Sequence, residues 1–150
     1  MTKIDIAAAP ISSGSNYPEG LADPCLNKLR RRLSRAAELK EIAVNLLELQ
    51  PGAWSSQRHW HTRAEEFVYV LEGEVVLVTG GGEEILTAGE CAAFRAGHPE
   101  DAHHLQNRSS APARILEIGP AGLRDDETHY PDVDLHATVA GYFRKDGSRY

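Results

Sequence analysis

His59-Trp60-His61-Thr62-Arg63-Ala64-Glu65-Glu66-Phe67-Val68 is the stretch on which the reading of this chain turns. On a β-strand, side chains two apart share a face and lie about 6.5 Å from each other along the chain, so His59 and His61 can aim at one ion; on a helix they diverge. In a chain with seven histidines an H-x-H pair is a coincidence-prone pattern by itself. Its meaning depends on whether its neighbours are strands and on which other ligands join it.

Working outward, the neighbours read as strands. Short β-like runs alternate with turn signals: Ile42 to Leu49 before Pro51-Gly52, Gln57 to His61, Phe67 to Leu71 before Glu72-Gly73, Val75 to Thr79 before Gly80-Gly81-Gly82, and Glu84 to Leu86 before Ala88-Gly89. Cys91 to Phe94, His103 to Asn107 and Arg114 to Ile118 continue the series. Many short strands with glycine turns predict an all-β barrel or sandwich. Nothing between them is long enough for the crossover helix of a parallel sheet. Past the His pair, Glu66, Val68 and Val70 share one face of a strand and Phe67, Tyr69 and Leu71 the other. Periodicity leaves both Glu65 and Glu66 open as a third ligand. Glu65 falls on the turn, where it is solvated, whereas a buried Glu66 needs a cation to offset the desolvation of its charge.

These residues resemble the cupin superfamily. Gly52, His59, His61, Glu66 and Gly73 are similar to its first motif, commonly written G-x5-H-x-H-x3or4-E-x6-G, with four residues between His61 and Glu66 and six between Glu66 and Gly73. The closing Gly73 favours Glu66 over Glu65. Gly89, Gly97, His103 and Asn107 are similar to the second motif, G-x5-P-x-G-x2-H-x3-N. There are three departures: six residues rather than five separate Gly52 from His59, Arg95 stands where the motif has proline, and His98-Pro99-Glu100-Asp101-Ala102 fill a gap usually two residues long. The longer loop brings His104 into question as the last ligand, and the three-residue gap to Asn107 favours His103. The resemblance implies a double-stranded β-helix (jelly roll) of six or more strands. It also implies a divalent transition metal held by His59, His61, Glu66 and His103; in an enzyme, Glu66 or a metal-bound hydroxide would move the proton. Three imidazoles and a carboxylate suit Mn, Fe, Ni, Co, Cu or Zn better than Ca or Mg.

Residues 1–41 are expected to form an N-terminal arm, marked by Pro10, Pro18 and Pro24, with a short helix over Ser34 to Lys40 capped by Ser34. Residues 42–120 are the barrel, and 121–150 a C-terminal extension in which Lys145-Asp146-Gly147-Ser148 closes a hairpin. Around the site, Arg58 and Trp60 alternate with the histidines and face away. Arg95 is read as a surface salt-bridge partner, with capture of a carboxylate or phosphate as its other role. Trp54 and His98 lie close by in sequence, and His98, Glu100 and Asp101 form either a polar lid or a solvated loop. His129 and His136 read as surface residues.

At 150 residues and a net charge of −6 the chain fits one domain and argues against a nucleic-acid surface. Its basic cluster, Lys28 with Arg30-Arg31-Arg32 and Arg35, reads as a solvated face or edge. No apolar run approaches the roughly 20 residues that cross a bilayer, and Met1 to Ile6 lack a signal-peptide core, so a cytoplasmic location is expected with Cys25 and Cys91 as thiols. Two functions fit. One is a metal-dependent enzyme, isomerase- or dioxygenase-like, acting on a small oxygen-rich substrate such as a hydroxy or keto acid or a sugar. The other is a non-catalytic ligand- or metal-binding or sensing module. The outward Phe67, Tyr69 and Leu71 predict a homodimer joined sheet to sheet.

Overall fold

The computed structural model describes residues 3–150, and thirteen strands account for most of its regular structure. In chain order they are β1 (Ile11–Ser13), β2 (Lys28–Arg32), β3 (Ile42–Leu49), β4 (Trp60–His61), β5 (Glu66–Glu72), β6 (Glu74–Thr79), β7 (Gly82–Thr87), β8 (Cys91–Phe94), β9 (His103–Gln106), β10 (Ala113–Pro120), β11 (Thr128–Tyr130), β12 (Leu135–Thr138) and β13 (Gly141–Phe143). Every pairing is antiparallel. One sheet runs β1-β2-β3-β10-β5-β8, a second β7-β6-β9, and a third β13-β12-β11-β4. The expected double-stranded β-helix is present.

Two readings of the N-terminal third are corrected. Residues expected as an arm supply β1 and β2 to the edge of the largest sheet, where Lys28, Arg30 and Arg32 pair with Leu49, Leu47 and Asn45 of β3. The helix is one turn, α1 (Leu33–Ala36), rather than Ser34 to Lys40. It stops because Glu38 takes a left-handed φ of 57°. Ser34 does not cap it; its Oγ accepts the amide of Val44. Near the C-terminal end Phe143 is bridged to Arg149 across the Lys145-Asp146-Gly147-Ser148 turn.

The inward faces of the strands change character along their length. In β3 the series is Leu49, Leu47, Asn45; in β10 it is Ala113, Ile115, Glu117; in β5 it is Val70, Val68, Glu66. The apolar ends stack in register, Leu47 against Ile115 and Ile115 against Val70, and join Val75, Leu77, Leu86 and Leu105 of the smaller sheet in one core. Burying these side chains is worth roughly 1.5–3 kcal/mol each. The polar ends cannot enter that core without partners, and they line a cavity of about 530 Å³ between the sheets. Tyr69 and Leu71, on the opposite face of β5, are exposed as alternation requires. Among the described residues no helix is long and apolar enough to cross a membrane.

Gly73 makes the turn from β5 into β6 at φ +78°, and a Cβ there would meet Pro112 O at 3.0 Å and Ala113 Cα at 3.1 Å. Gly52 has φ +82° but open space around it. Urea denaturation should therefore find Gly52→Ala less stable by about 1–2 kcal/mol, the cost of a left-handed alanine, and Gly73→Ala by about 1 kcal/mol more, because backbone rather than a flexible side chain blocks it.

Candidate functional site

Four side chains from three segments meet at the cavity wall. His59 precedes β4 and exchanges both backbone hydrogen bonds with His103, at 3.1 and 2.9 Å. His61 lies in β4, Glu66 starts β5 on the same face as Val68, and His103 starts β9. The run expected as a strand from Gln57 to His61 is regular only at Trp60 and His61, because there the chain leaves the β9 edge to pair with β11. The Nε2 atoms of His59, His61 and His103 lie 3.5, 3.6 and 3.4 Å from one oxygen, Glu66 Oε2. All four side chains named from the sequence come together.

The protons on these rings are assigned by their other contacts. His59 Nδ1 donates to the carbonyl of Gln57 at 2.9 Å, His103 Nδ1 to the carbonyl of Asp101 at 3.0 Å, and His61 Nδ1 to the carboxylate of Asp126 at 2.6 Å. With Nδ1 protonated, a neutral imidazole turns an unprotonated Nε2 lone pair into the cavity. In the neutral, Nδ1-protonated form three such lone pairs face a carboxylate oxygen that is buried and has no hydrogen-bond partner, whereas an Nε2–H on His103 or His59 would stabilise its charge. A cation would satisfy this arrangement. Two atoms each about 2.0–2.1 Å from one ion stand roughly 3–3.4 Å apart in octahedral to tetrahedral geometry, close to the separations here. His59, His61 and Glu66 offer ligand atoms within 4.8 Å of one another. The nitrogen-rich donor set fits a transition metal rather than Ca or Mg.

The electrostatics follow the same geometry. Burial opposes the charge on Glu66, but the imidazoles of His103 and His59 outweigh it and hold the carboxyl well below its usual range. Burial pulls His59 down while the adjacent carboxylate of Glu66 pulls it up, and the net direction is up. For His103, buried and stacked on Phe94, desolvation wins and the ring is pushed towards its neutral form. Only Oε2 of Glu66 is sealed; 32% of the side chain's surface stays accessible, facing the cavity.

The longer loop before His103 positions that histidine. Pro99–Asp101 form a single 3-10 turn, and Asp101 accepts the amide of Arg95 at 3.0 Å and its guanidinium at 2.8 and 3.0 Å. This clamp holds the Asp101 carboxyl down at about 2 and fixes the carbonyl that orients His103. Arg95 is thus a salt-bridge residue, and His98 pairs with Glu100 on the loop surface. His104 points to the other side of β9. Its Nδ1 donates to Ser56 O, its Nε2 accepts from Gln106, and its ring packs edge-on against Trp54. Arg58 turns outward to Asp132, and Trp60 stacks on His129.

Sequence reasoning missed the contribution of the two ends of the chain. Asp126 holds His61 Nδ1 and also accepts the amides of Arg63 and Ala64. Thr128, Tyr130 and Tyr142 of the C-terminal sheet line the cavity, as do Tyr17, Lys28, Arg30 and Arg32 from the N-terminal side. The basic cluster is therefore corrected from a solvated face to a cavity wall: its alternate residues, Lys28, Arg30 and Arg32, carried the period-two signal. Asp126 carried none, because it lies in an acidic tail 65 residues from His61. His129 and His136, expected at the surface, are half-buried in a stack on Trp60. With Glu127 they make a second His/Glu group outside the barrel.

The Cupin domain family matches residues 45–119. The chain is similar to a sugar phosphate isomerase from a cupin superfamily of Silicibacter pomeroyi, with 38% identity, coverage of 99% of this chain and 96% of that one, and a TM-score of 0.91. It is 31% identical over 84 residues to the tetracenomycin polyketide synthase protein TcmJ of Streptomyces glaucescens, covering 55% of this chain and 54% of that protein. It is 35% identical over 77 residues to the HTH-type transcriptional regulator PuuR of Escherichia coli (strain K12), covering 51% and 40%. The chain spans about half the length, or less, of these curated relatives.

The bond that His104 Nε2 accepts from Gln106 requires the neutral ring, and burial pushes its pKa down to about 4. The unfolded chain binds this proton near pH 6.5 and the folded chain does not, so the neutral ring is no penalty above pH 6.5 and stability falls as pH drops from 6.5 towards 4. The loss from this residue approaches about 3 kcal/mol. Urea titrations at pH 7, 5.5 and 4.5 should show that slope in the native protein and a shallower one in His104→Gln.

Proposed function

From the premise that the chain belongs to the cupin superfamily, we propose that it is a metal-dependent enzyme acting on a small oxygen-rich substrate, a hydroxy or keto acid or a sugar. The observation that carries the reading is the convergence of three Nε2 atoms, on rings each held through Nδ1, on the unpartnered Oε2 of Glu66. In this reading His59, His61, Glu66 and His103 hold a divalent transition metal, which when bound polarises substrate oxygen atoms as a Lewis acid.

The protein's own residues do the rest. Gln57, Asp101 and Asp126 hold the three rings by Nδ1, which fixes the tautomer and keeps Nε2 free to bind. Glu66 binds through its sealed oxygen, and the part of its side chain open to the cavity is placed to take a proton from a substrate and return it. Tyr130 packs its ring against His59 and, with Tyr17, walls the cavity on the side of the third sheet. Burial and the neighbouring Tyr17 keep the Tyr130 phenol protonated, so it serves as a hydrogen-bond donor rather than as a base. The likeness to a sugar phosphate isomerase over nearly the whole chain favours proton movement between neighbouring carbons of a polyhydroxy substrate.

A second reading, a ligand-binding module without turnover, is favoured by the 77-residue similarity to a transcriptional regulator. The two differ in one measurement. If the protein is an enzyme, Glu66→Gln retains ligand but loses turnover of a substrate found by screening metal-chelating acids and sugars.

Protein purified without chelators or a metal-binding tag should contain about one equivalent of Mn, Fe, Co, Ni, Cu or Zn by elemental analysis. His61→Ala should lose it, and Asp126→Ala should bind it roughly 10- to 100-fold more weakly, because the ring it orients is released. No metal in the native protein and no uptake on adding Mn, Fe or Zn would overturn the reading. The exposed Tyr69 and Leu71 on β5 support a homodimer, for which light scattering at micromolar concentration should give twice the chain mass. A cytoplasmic location is part of this proposal, and there Cys25 and Cys91 would stay reduced.

A further inference from the structure

Three cations, Lys28, Arg30 and Arg32, alternate along β2 and line the same cavity as the histidine cluster. Their situations differ. Arg30 is locked to Glu117 by two hydrogen bonds, at 2.5 and 2.7 Å. Arg32 has Ser12 Oγ at 3.3 Å and, among the described residues, no carboxylate partner. Lys28 is 8% exposed, and among the described residues its ammonium has one hydrogen-bond partner, the neutral carbonyl of Ser55 at 2.5 Å, and no ion pair.

A buried ammonium with a single neutral partner costs stability, and its other N–H bonds lack acceptors. Replacing such a group with an apolar one of similar shape is usually neutral or stabilising. Its presence in a cavity wall is accounted for by an anion that enters the cavity. The charge balance agrees. Lys28, Arg30 and Arg32 face Glu66, Glu117 and Asp126 around the cavity, so its wall is neutral on a chain whose net charge is −6. A divalent ion on Glu66 leaves it with a positive surplus.

The lysine is also tied to the cluster. Ser55, whose carbonyl takes Lys28 Nζ, is followed by Ser56, whose Oγ lies 3.2 Å from Nδ1 of His59. One short turn therefore sets both the anchoring cation and a metal-facing histidine. From this juxtaposition we propose that Lys28, assisted by Arg32 nearer the end of β2, binds an oxyanion group, phosphate or carboxylate, of the substrate whose other oxygens face His59, His61, Glu66 and His103. The Arg30–Glu117 pair is the fixed strut between them. This rests on the metal-enzyme reading for the substrate's second end, but the anion site stands on β2 alone. None of the three cations falls within residues 45–119, so the feature belongs to this chain's N-terminal strand and not to the matched family region.

The test is calorimetric titration of the full, metal-characterised chain with inorganic phosphate and, separately, with succinate. The native protein should bind at least one of them, and which one identifies the group. Lys28→Met should weaken that binding roughly 10- to 100-fold, the worth of a charge-assisted hydrogen bond, with equal or higher thermal stability and unchanged metal content. Lys28→Arg should recover part of the affinity, and Arg32→Gln should weaken it less than Lys28→Met does. Amide NMR shifts of the native chain on adding the bound anion should centre on Lys28, Ser55 and Ser56, a readout independent of any variant. Absence of binding by either anion, shifts confined to other surfaces, or Lys28→Met binding as tightly as the native protein would overturn the proposal. Metal analysis of the same samples separates the two readings. Lys28-dependent binding in a metal-free protein retains this site and removes the enzyme reading, and metal without Lys28-dependent binding does the reverse.

Discussion

A carboxylate oxygen buried among three imidazole nitrogens is the constraint around which the rest of this protein is arranged. Glu66 Oε2 has no donor of its own, and the rings around it have already committed their Nδ1 protons elsewhere. Each commitment recruits another part of the chain: the turn before β4 for His59, the loop before β9 for His103, and the segment leading into β11 for His61. The β11–β13 sheet is therefore more than a cover. Without Asp126, His61 is held only by Thr128 Oγ1 at 3.3 Å, and one ring becomes free to rotate.

The barrel tolerates this polar cluster because each inward strand face is divided. At one end Leu47, Ile115 and Val70 close an apolar core; at the other Asn45, Glu117 and Glu66 open onto the cavity. Core packing thereby fixes the rotation and register of strands whose polar ends must meet within tenths of an ångström. A one-residue slip in β5 would turn Glu66 away from the three histidines. The left-handed turn at Gly73, pressed against Pro112 and Ala113, is part of what prevents that slip.

The same division explains why the chain's ends matter to function. The region matched to the cupin family supplies the histidines and Glu66, while β2 and the C-terminal strands supply the other cavity walls. In the proposed reading, chemistry and recognition are thus carried by different parts of one small domain. Proteins that share the matched half need not share a substrate. The unusually long loop before His103 illustrates how a departure is absorbed: Arg95 clamps Asp101, and the added residues become the support for a ligand-side histidine rather than a lid.

By itself the sequence determined the all-β architecture, because glycine turns and period-two alternation are local properties, and it put His59 and His61 on one face, because strand parity is local too, while leaving Glu65 and Glu66 both open. The spacing to Gly73 and Asn107 selected Glu66 and His103 through resemblance to a family, and the structure brings both to the same point. Only the tertiary structure decided what surrounds them. Asp126 reaches His61 across 65 residues, and Lys28 is buried because β2 pairs with β3, although its run of basic residues reads as solvated. Long-range sheet pairing has no local signal: it is set by which edges remain open once the core has closed, and that depends on the whole chain at once.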